Sequence, residues 1–429
     1  MARGRSRGPV VVMREQGRQA SGVSVGRLVA LVALAVVCSL VATLFVLWFS
    51  TDDGADRLSH DRPARTTAAL RDSYAYIREK EFVLMRGDRP LARVPRVFDT
   101  ADSLHNKVVW THGGTHVAFL SDDELLDSPK DTHLIAVDAR TGRVRRLPCP
   151  RCYDLAAVGE SGVLALDPTP EGPGPGARRF DLDSTATSGT RATPPPDNGE
   201  RWVLYFLAST RTHLLTSQAT SYGSSGSPMQ LRLVGTDGGG AVSYPLFDSN
   251  NHMPAAADTD GEEQFAVAER SNPGGCAAPF PIYLLDRRGG TRATDMSAAL
   301  PPGFVAGRNG GVEVHDLWWG GDGHLYATIA SWTCDSTKRY EDEKKVLHRP
   351  SSLWRLDGEK WVSAGGKPAT VVRQLDRDTR AVLRLPDCIG PAKQFEGTSC
   401  GTGVLYREHD SRRTTVAEGV LSVFAPPAR

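Results

Sequence analysis

The stretch HVAFLSDDELLDSPKDTHLIAVDARTGRVRRL, residues 116–147, decides how this chain is read. Two short apolar runs, HVAFLS and HLIAVD, have strand length and β-forming composition. The second runs into Asp138-Ala139-Arg140-Thr141-Gly142, which has the composition of a hairpin turn, and a further strand follows it.

The same theme recurs outward from this stretch. We align inner strands at 73–78, 116–121, 163–167, 213–218, 264–269, 324–330 and 380–385, whose starts lie about 40 to 60 residues apart. Most follow a tight turn, such as HGGT at 112–115 or GGDG at 320–323. A second hairpin comes after each, clearest at 82–94, 134–147, 231–246, 282–294 and 353–362 and weaker at 180–193 and 404–417. Seven units of about four strands each need a way to remove their end edges, and radial closure does so without a cap. The expected fold class is therefore all-β: a seven-bladed, alternatively six-bladed, β-propeller over residues 73–429. Stacked β-sandwiches give similar strands, but these need not recur in sets of four. The first unit has only three strands, so the last apolar run, 421–424, is expected to complete it as a clasp between the two ends of the ring.

The pattern of residues 116–147 resembles the blade unit of TolB-type, WD40-like propellers. The resemblance spans residues 73–429 and is best around 108–147 and 280–294. The Gly-His and Trp-Asp pairs of strict WD40 repeats do not recur at blade spacing. The preference for Arg over Lys and the richness in Ala, Gly and Pro resemble membrane-anchored actinobacterial propeller proteins, a group of undefined role. What the resemblance implies is binding of a partner or ligand rather than one chemistry.

Ahead of the repeats, residues 28–49 read LVALVALAVVCSLVATLFVLWF, an apolar run of about 22 residues, long enough to span a hydrocarbon core of about 30 Å. Arg3, Arg5, Arg7, Arg14, Arg18 and Arg27 precede it and Asp52, Asp53 and Asp56 follow, so the N-terminus is expected in the cytoplasm and the rest outside. A cleavable signal peptide has a shorter apolar region, about 7–15 residues, and a small-residue cleavage site. We therefore expect a basic cytoplasmic tail at 1–27, a transmembrane signal anchor at 28–49, a flexible linker at 50–72 and the propeller at 73–429. The expected location is the cell membrane, single-pass, with the C-terminal domain extracytoplasmic.

The chain carries 51 basic and 50 acidic residues, a net charge of +1. Without the Arg-rich tail the outer part is mildly acidic, which argues against nucleic acid as its partner. Of the seven cysteines, Cys38 falls in the apolar run. Cys149, Cys152, Cys276, Cys334, Cys388 and Cys400 fall outside it, an even number that suits an oxidising compartment. Six cysteines allow 15 connectivities. Proximity favours Cys149–Cys152 and Cys388–Cys400, leaving Cys276–Cys334. The Cys-Pro-Arg-Cys spacing at 149–152 is also that of a redox motif, but no flanking helix accompanies it.

Chemistry is harder to place. The acidic turns 121–124 and 258–263 offer oxygen ligands without the full set of a calcium loop, and Asp and Gly belong in blade turns anyway. His112, His116, His133, His315 and His324 sit at strand edges or turns, where convergence on the channel would make a metal or general-base site; packing is the plainer role. No nucleophile elbow, zinc-protease helix, phosphate loop or dinucleotide fingerprint occurs, so we assign no catalytic residue, no metal site and no cofactor. Trp110, Trp202, Tyr205 and Phe206 are expected to pack between blades. Trp318 and Trp319 are adjacent on a strand and face opposite sides, so one is expected in the core and the other exposed to a partner. The charged insertion 334–350 contributes Lys338, Arg339 and Tyr340 to the same candidate binding surface. The function expected is a membrane-anchored extracytoplasmic module that binds a protein or cell-envelope ligand. An extracytoplasmic hydrolase or lyase with a channel active site is the alternative.

Overall fold

The computed structural model describes residues 72–96, 107–121, 132–168, 175–192, 204–219, 229–247, 254–258, 264–269, 281–304, 308–334, 345–386, 401–410 and 412–427. These lie in the compact unit Ala64–Arg429. Among them there is no α-helix, only the 3-10 turn Ser297–Ala299 between strands. No helix of the described residues is long and apolar enough to cross a membrane. The apolar run 28–49, with the tail before it and residues 50–71 of the linker 50–72 after it, lies outside the described residues, as do Cys38, Cys276, Cys388 and Cys400.

Five antiparallel four-stranded sheets follow one another along the chain. The first comprises Val108–Trp110, His116–Leu120, His133–Asp138 and Val144–Pro148. The second runs from Asp154–Val158 to Thr190–Ala192, the third from Leu204–Ser209 to Val242–Phe247, the fourth from Ala255–Ala257 to Thr291–Ala293 and the fifth from Gly310–Trp319 to Lys360–Gly365. A sixth sheet has seven strands and joins both ends of the ring, in the order Val371–Gln374, Thr379–Arg384, Gly403–His409, Arg412–Phe424, Ser73–Arg78, Glu81–Arg86 and Arg89–Pro95.

Burial explains why the sequence reads as it does. The second strand of the first sheet and the first strand of the second sheet are buried at every position. Sheets cover both of their faces, so alternation gives way to a continuous apolar run. The last strands, Val144–Pro148 and Thr291–Ala293, are largely exposed. The strands we aligned as innermost are in fact the second of their sheets. Innermost are the first strands, which touch one another in succession around a centre, and Arg412–Phe424 touches both Val371–Gln374 and Val108–Trp110. Apolar clusters lie between consecutive sheets, and one of them, with Tyr74, Leu383, Leu405 and Val423, packs the end of the chain against its beginning. The unit Ala64–Arg429 is a closed β-propeller.

The expected clasp is present. Arg412–Phe424 pairs through its first part with Gly403–His409, from His409↔Arg412 to Gly403↔Val420. Its last part pairs with Ser73–Arg78, through Ala75↔Phe424, Tyr76↔Val423 and Ile77↔Ser422. Gly419, at φ +68°, sits at the change of partner. Side chains add a second tie between neighbours, each reaching the last turn of the next sheet. Arg86 donates to the carbonyls of Ala139 and Arg140 at 2.8 and 2.7 Å, Arg145 to those of Leu182 and Ser184 at 3.0 and 2.8 Å, and the Tyr244 hydroxyl to that of Asp286 at 2.7 Å. Arg407 closes the circle on Asp72 at 3.0 Å and Asp88 at 3.1 Å.

Cys149 and Cys152 form a disulfide across a turn, with Cα atoms 5.5 Å apart and both residues buried, a loop staple as expected. Cys334 is also disulfide-bonded.

Candidate functional site

The first strands of the five four-stranded sheets, with Arg373, Gln374 and the end of the chain at Phe424–Pro427, enclose a central cavity of about 510 Å³. Its size is in the range of small-molecule pockets, about 300–1,000 Å³.

At one part of the wall Lys107 and Phe206, with Asp154 bonded to both, bring three sheets together. The Lys107 ammonium donates to Asp154 Oδ1 at 2.7 Å and to the Phe206 carbonyl at 2.6 Å. Asp154 is 5% exposed, and its carboxylate also accepts the backbone N–H groups of Leu155 and Phe206 at 2.8 and 2.6 Å. A buried carboxylate is costly unless paired and hydrogen-bonded, and here both conditions hold.

Elsewhere the wall carries Trp318 and Trp319, at the end of Gly310–Trp319. They take opposite sides of the strand, as their adjacency requires. Trp319 packs into the core between the fourth and fifth sheets, and Trp318 against Ala369, Val372 and Val382 of the next sheet. The Trp318 ring stacks on Tyr326 with centroids 5.7 Å apart and planes at 16°. The Tyr326 hydroxyl donates to Asp322 Oδ2 at 2.7 Å. Burial, then this acceptor, pushes the Tyr326 phenol up to about 12. Burial pushes the Asp322 carboxyl up, but the Tyr326 hydroxyl and the His324 N–H outweigh it and hold it below the ordinary value. Gly320 makes room for the arrangement, since a Cβ there would lie 2.6 Å from the Tyr326 ring. The Arg373 guanidinium stands 5.8 Å from the Trp318 centroid and is ion-paired with Asp316.

Of the two tryptophans, Trp319 packs against the core as one of them was expected to, while Trp318 is part-buried rather than fully exposed. Both are part-buried and both line the cavity, because an innermost strand is covered by a neighbouring sheet on each side. Lys338, Arg339 and Tyr340 lie outside the described residues, as do Trp202, residues 122–124 and residues 259–263. Trp110 is buried between the first sheet and the end of the ring, and Tyr205 packs edge-on to Tyr153 at 6.3 Å.

Of the described histidines, His112 alone lines the cavity, with Nε2 3.4 Å from Ser209 Oγ. Burial lowers its pKa, and that of His116 likewise. Among the described residues no three His, Cys, Asp or Glu side chains gather as a metal site would require. Lys107, Asp154, Asp316 and Arg373 were not singled out in the sequence. The partners of each pair are 47 and 57 residues apart, and no local spacing marks them.

A second feature lies away from the cavity. Leu325–Cys334 and Lys345–Asp357, of 10 and 13 residues, extend their hairpin to the pairs Trp332↔Leu347 and Thr333↔Val346. Val346 is 51% and Leu347 43% exposed, against 0% for Trp332. Arg349, nearby on the same strand, donates to the Ala298 carbonyl at 3.3 Å.

The chain is similar to β-propellers. The propeller domain of the Trilobed protease from Pyrococcus furiosus is 13% identical, with 79% of this chain and 89% of that one covered and a TM-score of 0.42. An oligogalacturonate lyase solved with manganese is 12% identical over 81% and 84% of the two chains, with a TM-score of 0.42. TolB from Acinetobacter baumannii is 10% identical over 67% and 65%, with a TM-score of 0.36. No protein-family profile and no curated protein matches the chain.

Proposed function

We propose that this protein is a membrane-anchored, extracytoplasmic binding module, a seven-bladed propeller that holds a protein of the cell envelope on the hairpin Leu325–Cys334/Lys345–Asp357. The observation that carries the reading is the pair Val346 and Leu347, two large apolar side chains exposed on opposite faces of one strand of the hairpin. An exposed aliphatic on each face of a hairpin suits a partner that grips it from both sides. The count of seven blades follows if Arg412–Phe424 serves as the outermost strand of one blade and the innermost of the next. The anchor is the run 28–49, with the basic tail inside the cell and the ring outside.

The test is photo-crosslinking of the full chain in its own membrane from a reactive group placed at Val346. One discrete envelope-protein adduct, lost on Leu347→Asp with thermal unfolding unchanged, supports the reading. Absence of an adduct, or an adduct indifferent to Leu347→Asp, overturns it.

A further inference from the structure

The central cavity has a chemical character of its own, separate from the hairpin. Two cations stand on its wall, Lys107 and Arg373, and each keeps donors that the protein does not use. The Lys107 ammonium spends one N–H on Asp154 and one on the Phe206 carbonyl, leaving a third. Arg373 spends only Nη1, on Asp316 and, at 3.0 Å, on the Val372 carbonyl. Its Nε and Nη2 have no partner among the described residues, and neither is buried. Both side chains are reachable, 26% exposed for Lys107 and 22% for Arg373. The carboxylates that hold them, Asp154 and Asp316, are buried behind the wall and do not line the cavity.

The two cations flank a single strand. Arg373 belongs to Val371–Gln374 and Lys107 immediately precedes Val108–Trp110, and Arg412–Phe424 touches both of these strands. Between the cations the wall is therefore the end of the chain, Phe424 to Pro427, which is apolar in every side chain. Asp258 is the one carboxylate on the wall among the described residues. It follows Ala255–Ala257, whose neighbours in the ring are Leu204–Ser209 and Gly310–Trp319, so it stands across the cavity from this arc.

An arginine held by Nη1 alone keeps its Nε and Nη2 edge open, and the two parallel N–H groups of that edge match the two oxygens of a carboxylate. Hydrogen bonds of this charge-assisted kind are about twice as strong as neutral ones. A neutral amide or a sugar hydroxyl would make only the weaker bond, and an amine would meet two like charges. We infer that this arc of the cavity is a binding site for a small organic carboxylate. Its acid group lies on the open edge of Arg373, Lys107 attracts it from the other flank, and its apolar body covers Phe424 and Pro426. Binding there is independent of the envelope partner proposed at the hairpin, so either reading stands if the other fails.

The experiment uses the full chain in detergent and three photoprobes of one scaffold, 4-benzoylbenzoate, 4-benzoylbenzamide and 4-benzoylbenzylamine, with adducts located by peptide mapping. The carboxylate is expected to label peptides containing residues 371–374 or 424–427 at about ten-fold or more the level of the amide, a difference of about 1.4 kcal/mol, and the amine least of all. Arg373→Lys keeps a cation beside Asp316 but loses the two-pronged edge, and is expected to reduce the labelling about five-fold or more with the thermal midpoint unchanged. Pro426→Glu, which leaves both ion pairs intact and sets a negative charge between them, is expected to do the same. Absence of labelling at these peptides, equal labelling by the amide or the amine, or undiminished labelling in both variants overturns the inference. Should either variant fail to fold, the other and the three-probe comparison on the native chain decide.

Discussion

The turn Asp138–Gly142 shows how much one residue settles. Asp138 Oδ1 accepts the N–H groups of Arg140 and Thr141 at 2.7 and 3.0 Å, and Gly142 N–H returns to the Asp138 carbonyl at 2.8 Å. Burial pushes the Asp138 carboxyl up, but these N–H donors outweigh it and hold it below the ordinary value. Gly142 has φ +73°, and a Cβ on it would lie 2.5 Å from the carbonyl oxygen of Leu91 in the preceding part of the ring. The glycine that marked a hairpin in the sequence thus also allows two sheets to approach. Gly142→Ala is expected to cost about 2 kcal/mol or more, from left-handed backbone strain and the contact with Leu91 together. A shift in the denaturant midpoint with unchanged slope checks it; a loss below about 0.5 kcal/mol would show that the approach tolerates a methyl group.

At the scale of elements, the clasp is the feature whose removal has the widest effect. Leu421–Phe424 supplies Val423, fully buried, and the backbone partners of Ala75, Tyr76 and Ile77. Without it Ser73–Arg78 becomes an open edge beside the cavity. Deleting the residues after Val420 is expected to lower the thermal midpoint by about 10 °C or more, through lost apolar burial and lost pairing. An unchanged midpoint would mean that the ring closes by side-chain contacts alone. The clasp was legible in the sequence as three strands at one end and one spare strand at the other. The second strands of the sheets were equally legible, because burial on both faces makes them continuous apolar runs. Short first strands, such as Val108–Trp110 and Ala255–Ala257, gave little signal, although they form the cavity wall.

For the molecule as a whole, buried histidines set the direction of pH dependence. His112 and His116 have pKa values lowered from 6.5, chiefly by burial, so the unfolded chain binds their protons more readily than the folded one. Their contribution is complete above about pH 6.5 and is lost as the pH falls through that value toward the lowered folded ones. The thermal midpoint is therefore expected to drop between about pH 7 and about pH 5.5, and to drop less in His112→Gln. A midpoint that rises on acidification over this range would contradict the assignment.

By itself the sequence determined the strands, their hairpins, their recurrence in sheet-forming units and the staple at Cys149–Cys152, since all of these depend on neighbours within a few tens of residues. Tertiary structure alone decided which strand faces the centre, and hence that Trp318 and Trp319 both line a cavity. It alone paired Lys107 with Asp154 and Arg373 with Asp316. Those partners come from neighbouring sheets and meet only when one sheet packs on the next, so no spacing along the chain records them.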